Sequence, residues 1–322
     1  MKLLFMGSDP ISIPLLDSVL KEESIELIAI YTQPDRASGR GKKIQPNAIK
    51  DWALKHQIPI KQPQKPDQED VDWIVENQID CTLVMAYGHL LKQNLLDAAK
   101  KETLNIHASL LPKYRGASPI ETSIANGDSK TGVTLMRITK KMDSGPLIDQ
   151  ESVSISSEDT GLTVREKISH ACIPLMKRNW RAIENRQIHL TEQDEDQVTY
   201  CRKLTKLDAG LDFKMPAKLL AAKIRAFAHW PKCEFVYNGM SIKTSMASVQ
   251  ECEAPQEPGT ILSTDKQGLH ISSGKGILIF HKLQKPGGKM LMANDFLRGF
   301  KIPENTRIDN APSPDLVSDI PF

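Results

Sequence analysis

Three polar side chains, Asn105, His107 and Asp143, lie at or just after the ends of two apolar runs of the chain. Asn105 and His107 lie two positions apart on an extended segment, so their side chains project from the same face. Asp143 lies in the segment 142–146, directly after the next predicted strand. In open parallel sheets, functional groups gather outside the carboxyl ends of the strands, and we therefore expect these three side chains to meet in one crevice.

An amide, an imidazole and a carboxylate, without a nucleophilic Ser or Cys, suit an acyl transfer in which the substrate brings the attacking group. Asn105 and His107 can donate hydrogen bonds to an oxygen that becomes negative in a tetrahedral intermediate, which is typically worth roughly 3 to 4 kcal/mol per donor. Asp143 can orient the imidazole, favour its charged form and help to move protons from the attacking amine to the leaving nitrogen. This chemistry needs no metal. On spacing alone, a His or Asp at a strand end is also typical of a cap or a turn.

The elements around these residues predict an α/β fold. Short apolar runs alternate with amphipathic segments, and a longer helical pattern covers 162–183. This alternation predicts a Rossmann-like, mostly parallel sheet with helices on both faces. The apolar runs are 3–6, 26–32, 82–86, 103–106 and 133–138, and the amphipathic segments are 11–23, 47–55, 68–78 and 119–125. The first run leads into GSDP at 7–10, but no Gly-x-Gly-x-x-Gly motif or P-loop follows, which disfavours a nicotinamide or ATP site.

The pattern changes after an acidic polar stretch at 191–197. A helix at 216–227 precedes five short strand-like runs, and Asn238-Gly239 between the first two predicts a tight hairpin. The second part is therefore predicted to be a smaller, OB-like β-barrel. The predicted boundaries are a catalytic domain at 1–190, a linker at 191–207, a barrel at 208–314 and a tail at 315–322. The five runs are 234–237, 240–243, 259–262, 269–272 and 277–282.

Charge and composition narrow the possible partners. The net charge of the 322 residues is only +2, but residues 205–314 hold 15 Lys and Arg against 10 Asp and Glu. A basic second domain is compatible with a polyanionic partner, and equally with a solvated basic surface. No run approaches the ~18 apolar residues of a membrane span. The five cysteines form no Cys-x-x-Cys pair and indicate reduced thiols in a cytoplasmic protein.

Further motifs lie around the three polar residues. Asn105-x-His107 is followed by SLLP at 109–112, RG at 115–116 and PI at 119–120, and Asp143 opens the motif DSG. Together these motifs resemble the signature of the folate-dependent formyltransferase family. Within that family the match is closest to members that formylate methionyl-initiator tRNA. Other matching segments, spread over residues 1–300, are YTQPDR at 31–36, GRGKK at 39–43, AYG at 86–88, EDT at 158–160, RAF at 225–227 and WP at 230–231.

The resemblance implies a reaction and its partners. It implies that 10-formyltetrahydrofolate is the formyl donor, that the α-amino group of methionyl-initiator tRNA is the acceptor, and that the product serves translation initiation. Asn105, His107 and Asp143 match the catalytic positions of the family. The residues expected to contact folate are Tyr87, Gly88, Ser109, Leu110, Leu111 and Pro112. The residues expected to contact tRNA, in a loop at 35–43, are Arg36, Arg40, Lys42 and Lys43. The basic second domain is expected to hold the tRNA, and the protein to act as a monomer without a metal.

Three alternatives stay open. The nearest is a formyltransferase that uses the same three residues on a nucleotide-sugar or another small amine; the basic loop at 36–43 favours RNA over this alternative. The second is a non-catalytic RNA-binding protein, which the intact Asn105, His107 and Asp143 disfavour. The third is a nicotinamide oxidoreductase, which the missing phosphate-binding glycines disfavour.

Overall fold

The computed structural model describes residues 1–38, 41 and 43–322. The chain forms two compact units, each built from several segments. Unit 1 consists of Met1–Arg115, Gly132–Val153 and Arg165–Thr199. Unit 2 consists of Gly116–Thr131, Ser154–Val164 and Tyr200–Phe322. The domain boundaries stated above stay a prediction.

The described residues form eighteen strands and eight α-helices, numbered here in chain order. The strands are β1 Lys2–Gly7, β2 Glu26–Tyr31, β3 Arg36–Ser38, β4 Lys43–Gln45, β5 Ile60–Lys61, β6 Cys81–Met85, β7 Glu102–His107, β8 Arg115–Gly116, β9 Lys130–Arg137, β10 Leu147–Ser154, β11 Tyr200–Cys201, β12 Cys233–Tyr237, β13 Met240–Gln250, β14 Ile261–Thr264, β15 Leu269–Ser272, β16 Ile277–Gln284, β17 Leu291–Met292 and β18 Val317–Ser318. The helices are α1 Ile13–Val19, α2 Ala48–Lys55, α3 Gln68–Glu76, α4 Gln93–Leu96, α5 Pro119–Ala125, α6 Gly161–Glu184, α7 Ala217–Ala226 and α8 Ala293–Gly299.

The main sheet has the strand order β10-β9-β7-β6-β1-β2-β5. Strands β5, β2, β1, β6 and β7 pair in parallel, and β9 pairs antiparallel with β7. The central strands β1 and β6 are almost fully buried, which explains why they read in the sequence as continuous apolar runs rather than alternating ones. The predicted Rossmann-like, mostly parallel sheet is confirmed. Its carboxyl edge carries the end of β7, where His107 is the last strand residue.

Unit 2 contains an antiparallel half-barrel with the strand order β12-β13-β16-β15-β14, and β17 pairs with β16. Strands β12 and β13 meet at Asn238 and Gly239, whose φ angles are 50° and 72°. These left-handed angles are those of the hairpin turn that Asn-Gly favours, and the predicted hairpin is confirmed. The predicted small β domain is confirmed with it. No helix among the described residues is long and apolar enough to cross a bilayer.

Candidate active site

The imidazole of His107 lies at the end of β7 and is 7% exposed. Its Nε2 is 2.9 Å from the backbone oxygen of Tyr114, and its Nδ1 is 3.6 Å from Oδ2 of Asp143. A carbonyl oxygen can only accept a hydrogen bond, so Nε2 must carry the proton. A neutral imidazole would then turn the lone pair of Nδ1 towards a carboxylate. Nδ1 can donate to that carboxylate only when it carries a proton as well.

The separation of His107 and Asp143 matters for binding a third group. A distance of 3.6 Å is longer than a full N–H···O hydrogen bond, whose heavy atoms lie about 2.7 to 3.2 Å apart. When Nδ1 carries a proton, its N–H can therefore also point to a ligand oxygen placed beside the carboxylate. The structure thus brings two of the three predicted catalytic side chains together, and their catalytic roles stay a prediction.

Asn105 lies on β7 two residues before His107 and is half-buried. Its neighbours in the sheet are Val84 of β6 and Met136 of β9. Within the described part of the chain, the Asn105 amide makes no side-chain hydrogen bond. Its donors are therefore open to a ligand, and the alternation of a strand places them on the same face as His107.

Asp143 has a left-handed backbone with φ 50°, a conformation that Asp tolerates better than most residues. Contacts on both sides hold the loop in this shape. Ser144 Oγ donates to Lys141 O at 3.1 Å, and Gln193 Nε2 donates to Asp143 O and to Gly145 O, both at 2.8 Å. The carboxylate of Asp143 therefore projects from a fixed loop.

Arg115 and Gln193 form a buried pair behind that loop. The side chain of Arg115 is 2% exposed, and it donates to Gln193 Oε1 from Nε at 3.1 Å and from Nη2 at 2.9 Å. Nη2 also lies 2.8 Å from Oε1 of Glu195, whose pKa is lowered by that hydrogen bond. The sequence predicts a linker at the position of Gln193 and no functional role for this residue. Arg115 carries a sequence signal only as part of the RG motif at 115–116.

The segment 109–112 is expected to contact folate, and several of its polar groups are hydrogen-bonded to other residues of the protein. Ser109 is fully buried, and its hydroxyl donates to Lys113 O at 2.7 Å. The backbone of Leu111 is bonded on both sides, from its N–H to Thr134 Oγ1 at 3.1 Å and from Gln150 Nε2 to its carbonyl at 2.8 Å. Leu111 is also buried, whereas Leu110 and Pro112 are half-buried. In this arrangement Leu110 and Pro112 offer the accessible surface, and the contact with folate stays a prediction.

Tyr87 and Gly88 follow β6 at the same edge of the sheet. Tyr87 is 2% exposed, and its backbone oxygen accepts hydrogen bonds from Gln33 Nε2 at 2.9 Å and Ser8 Oγ at 3.4 Å. Burial raises the pKa of the Tyr87 phenol, whose hydroxyl has no partner among the described residues. Gly88 has φ 80°, and an added Cβ would lie 2.6 Å from Gln33 Nε2. This segment therefore presents backbone, not side chains, to its surroundings.

A cleft of about 500 Å³ lies beside the first residues of β7 and the segment that follows β9. Its walls include Leu96 of α4, Thr103 of β7, and Ile138, Thr139 and Lys140. Thr139 and Lys140 belong to the same loop as Asp143. The cleft is large enough for a flat heterocycle, since ligand pockets start at about 300 Å³.

The structure describes part of the loop that is predicted to contact tRNA. Arg36 is exposed and begins β3, which pairs antiparallel with β4. Arg40 and Lys42 lie outside the described residues, and Lys43 is described only as a backbone position of β4.

Four side chains hold the base of this loop. Asp35 accepts hydrogen bonds from Lys50 Nζ at 2.6 Å and Gln62 Nε2 at 2.9 Å. Asn47 Nδ2 and Gln62 Nε2 both donate to the backbone oxygen of Gln33, at 3.0 and 2.8 Å. The hairpin therefore starts from a fixed point at the carboxyl edge of β2.

No three His, Cys, Asp or Glu side chains converge into a metal-binding group in the described ranges. The expectation that the reaction needs no metal stays a prediction.

A mostly parallel sheet with a polar site at its carboxyl edge, joined to an antiparallel β unit, defines the class of proteins with the formyltransferase fold. Residues 1–177 match the family described as Formyl transferase, and residues 203–301 match the family described as Formyl transferase, C-terminal domain. The chain belongs to the formyl transferase family. It is therefore an enzyme that transfers a one-carbon group, and the predicted family is confirmed.

Relatives of known name match nearly the whole chain. A "Methionyl-tRNA formyltransferase" of Hahella chejuensis is 36% identical over 302 residues, which cover 94% of this chain and 95% of the relative. Another of the same name, from a Sulfurihydrogenibium species, is 35% identical over 312 residues, or 96% and 100% of the two chains. Among solved structures, the sugar 3N-formyl transferase WlaRD, crystallised with dTDP and 5-N-formyl-THF, superposes with a TM-score of 0.65 at 21% identity, covering 88% of this chain and 97% of that one. This structural similarity supports the fold.

Proposed function

We propose that the enzyme transfers the formyl group of 10-formyltetrahydrofolate to the α-amino group of methionyl-initiator tRNA. The observation that carries the proposal is the pairing of His107 with Asp143 at 3.6 Å, two residues from the open amide of Asn105. The names of relatives that match over 90% of the chain supply the substrate. We further propose that it acts as a monomer, in the cytoplasm, and without a metal.

The three side chains divide the work of the transfer. The neutral amine attacks the formyl carbon, a C–N bond forms, and the carbonyl oxygen becomes negative. The Asn105 amide and the Nδ1–H of His107 donate hydrogen bonds to that oxygen, and fixed donors of this kind are typically worth roughly 3 to 4 kcal/mol each. Asp143 orients the imidazole of His107 and accepts the proton that the attacking amine loses. The proton then passes to the folate nitrogen as the bond from that nitrogen to the formyl carbon breaks.

For the folate we propose the cleft that runs past Thr103, Ile138 and Lys140, together with the segment 87–90. Backbone groups in 87–90 and 139–143 would meet the pteridine ring, while Leu110 and Pro112 would pack against the ligand. The size of the cleft and its shared loop with Asp143 support the part of this placement that lies in the cleft, whereas the segments 87–90 and 109–112 are not among its walls.

For the tRNA we propose two basic surfaces. The loop at 35–43 would meet the acceptor end through Arg36, Arg40, Lys42 and Lys43, and residues 205–314, with 15 basic against 10 acidic side chains, would hold the body of the tRNA. Contacts of this kind act mainly on phosphates and on RNA shape.

The catalytic assignment is tested by His107→Ala and Asp143→Asn. Each variant is expected to lower formyl transfer at least about 100-fold, because each removes a group used in the transition state. The affinity for tRNA is expected to stay within about twofold, since neither side chain lies in a basic surface. Single-turnover formylation of Met-tRNA and filter binding of the tRNA measure the two quantities. Unchanged turnover in both variants would remove the assignment.

The loop assignment is tested by Arg40→Ala. The change is expected to raise KM for Met-tRNA by roughly tenfold, the weight of one good phosphate contact, and to leave KM for the formyl donor unchanged. Lys55→Ala, at the end of α2 and outside the loop, is the matched control for loss of one positive charge. If Arg40→Ala and Lys55→Ala behave alike, the loop has no specific part in tRNA use.

A second candidate, a transferase that acts on a nucleotide-sugar amine, is favoured by the fold shared with WlaRD. The two candidates are separated by offering the purified enzyme a labelled formyl donor with either Met-tRNA or a dTDP-amino sugar. Formylation of the sugar alone would replace the proposed function.

A further inference from the structure

The side-chain amide of Gln193 uses both of its ends inside the protein. The residue is 8% exposed. Its Nε2 donates to the backbone oxygens of Asp143 and Gly145, and its Oε1 receives two hydrogen bonds from Arg115. Because carbonyls only accept and a guanidinium only donates, this amide fits in one orientation. Gln193 therefore acts as an adaptor between a buried cation and the loop that carries Asp143.

The same cation belongs to a segment that also holds His107. The backbone oxygen of Tyr114 is 2.9 Å from Nε2 of His107, and Tyr114 and Arg115 both donate their backbone N–H groups to Thr199, at 2.9 and 2.8 Å. The stretch that contains Gln193 and Thr199 thus contacts Asp143 directly, at its backbone oxygen, and reaches His107 through Tyr114.

The loop around Asp143 needs such support. Asp143 has a left-handed φ of 50°, and at Gly145 an added Cβ would lie 1.9 Å from Arg137 O. An unfavourable backbone conformation persists only where its surroundings over-determine it. Two hydrogen bonds from one fixed amide, on either side of Ser144, provide that constraint.

We propose that Gln193, oriented by Arg115, is a positioning residue that fixes the Asp143 carboxylate against His107. The inference rests on the proposed function, because it assigns Gln193 a part in the same formyl transfer. It also changes the meaning of the predicted linker, because two of its residues, Gln193 and Thr199, support the segments that carry Asp143 and His107.

The first test is Gln193→Glu, with Gln197→Glu as the matched control. Glutamate keeps an acceptor for Arg115 but has no N–H to donate to Asp143 O and Gly145 O. Gln197 lies in the same stretch and is exposed, so its variant makes the same chemical change away from the loop. We expect kcat to fall by about 10- to 100-fold in Gln193→Glu, the scale of a small misplacement of a catalytic group, and to stay near wild type in Gln197→Glu.

The second test separates positioning from general loss of structure. In an Asp143→Asn background, Gln193→Glu is expected to reduce the residual turnover by less than about threefold, because the group it positions is already disabled. If Gln193→Glu causes the same fold-loss in both backgrounds, the positioning role is overturned. Gln193→Met, which keeps the length of the side chain without hydrogen bonds or charge, repeats the cycle should the glutamate variant fail to fold.

A third measurement does not depend on activity. Hydrogen exchange of the amides in 139–146 is expected to be faster in Gln193→Met than in wild type, and unchanged in Gln197→Glu. Equal exchange in all three proteins would overturn the inference. Suppose that exchange is faster in Gln193→Met than in wild type, but the wild-type protein transfers no formyl group to Met-tRNA. The proposed function then fails, while the support of the loop by Gln193 stands.

Discussion

Both ring nitrogens of His107 contact residues outside β7, and these contacts determine which hydrogen bonds the imidazole can donate. Tyr114 supplies a backbone oxygen and Asp143 a carboxylate. The sequence indicated Asn105, His107 and Asp143 because their side-chain types suit one reaction and they follow predicted strands. It gave no signal for the carbonyl of Tyr114 or for the amide of Gln193. The direction of a main-chain carbonyl, and the partner of a lone glutamine, are set only once distant segments are packed together.

Glu195 marks the outer end of the Arg115 network, and its side chain is 72% exposed. We predict that Glu195→Gln changes kcat by less than about threefold, because an exposed ion pair is screened by water and the new amide still offers an acceptor to Arg115. Formylation kinetics at two salt concentrations measure the change. A loss as large as that of Gln193→Glu would mean that Arg115 is anchored by Glu195 rather than by Gln193.

At the scale of elements, the sequence predicted those that carry their own apolar pattern. The runs at 3–6, 82–86 and 103–106 became β1, β6 and β7, and the helix at 162–183 became α6. Two-residue strands such as β8 and β18 were missed, because so short a segment has no periodicity of its own and its pairing depends entirely on a partner. Strand β10 was missed for a related reason: its residues are mostly half-buried, so no apolar run or clean alternation marks it.

The side chain of Asn47 links the start of helix α2 to the base of the basic loop. Its Oδ1 accepts hydrogen bonds from the N–H groups of Ile49 and Lys50, both at 3.1 Å, and its Nδ2 donates to Gln33 O at 3.0 Å. We predict that Asn47→Ala lowers the free energy of unfolding by about 1 to 2 kcal/mol, the cost of losing a helix N-cap. It should also raise KM for Met-tRNA, because the loop at 35–43 loses part of its support.

Urea unfolding and formylation kinetics measure the two effects of Asn47→Ala. Asn94→Ala is the control, since Asn94 is exposed and lies outside the loop. If both variants lose the same free energy of unfolding and keep the wild-type KM, the Asn47 cap contributes nothing measurable to stability and Asn47 does not support the loop.

At the scale of the whole molecule, parts of the predicted linker and of the predicted tail belong to the folded units. The stretch at 191–199 borders the candidate active site of unit 1 through Gln193 and Thr199. The stretch after residue 310, beyond the end of the second family match at residue 301, folds back onto unit 2. Because both stretches are polar, their composition predicts exposure to solvent. The hydrogen bonds that they form in the structure go largely to main-chain atoms. The amino-acid composition of these stretches therefore does not predict either role.

The chain end is held in unit 2 by two cationic side chains and one short strand. Lys223 Nζ donates to Ser313 Oγ at 2.6 Å and to Gly210 O at 2.7 Å, and burial lowers the pKa of Lys223. Arg202 donates to the backbone oxygens of Pro314 and Asp315, at 2.9 and 2.8 Å. Strand β18 pairs with β11. A buried ammonium that loses one of its acceptors is costly, so this end should matter to stability although it lies far along the chain from the catalytic residues.

Removal of residues 313–322 tests this role. It deletes three side-chain hydrogen bonds and the β18 pairing, and at a net 0.5 to 1.5 kcal/mol per bond we expect the free energy of unfolding to fall by about 2 to 5 kcal/mol.

Ser313→Ala should lose about 1 kcal/mol, because it removes one acceptor of Lys223. Asp315→Ala should lose less than about 1 kcal/mol, since Arg202 bonds the backbone oxygen there and the exposed carboxylate acts on it only through its charge. Thermal and urea unfolding of the three variants measure these differences. A shortened chain as stable as the full one would mean that the tail only rests on unit 2, because its hydrogen bonds would then be replaced by water at no net cost.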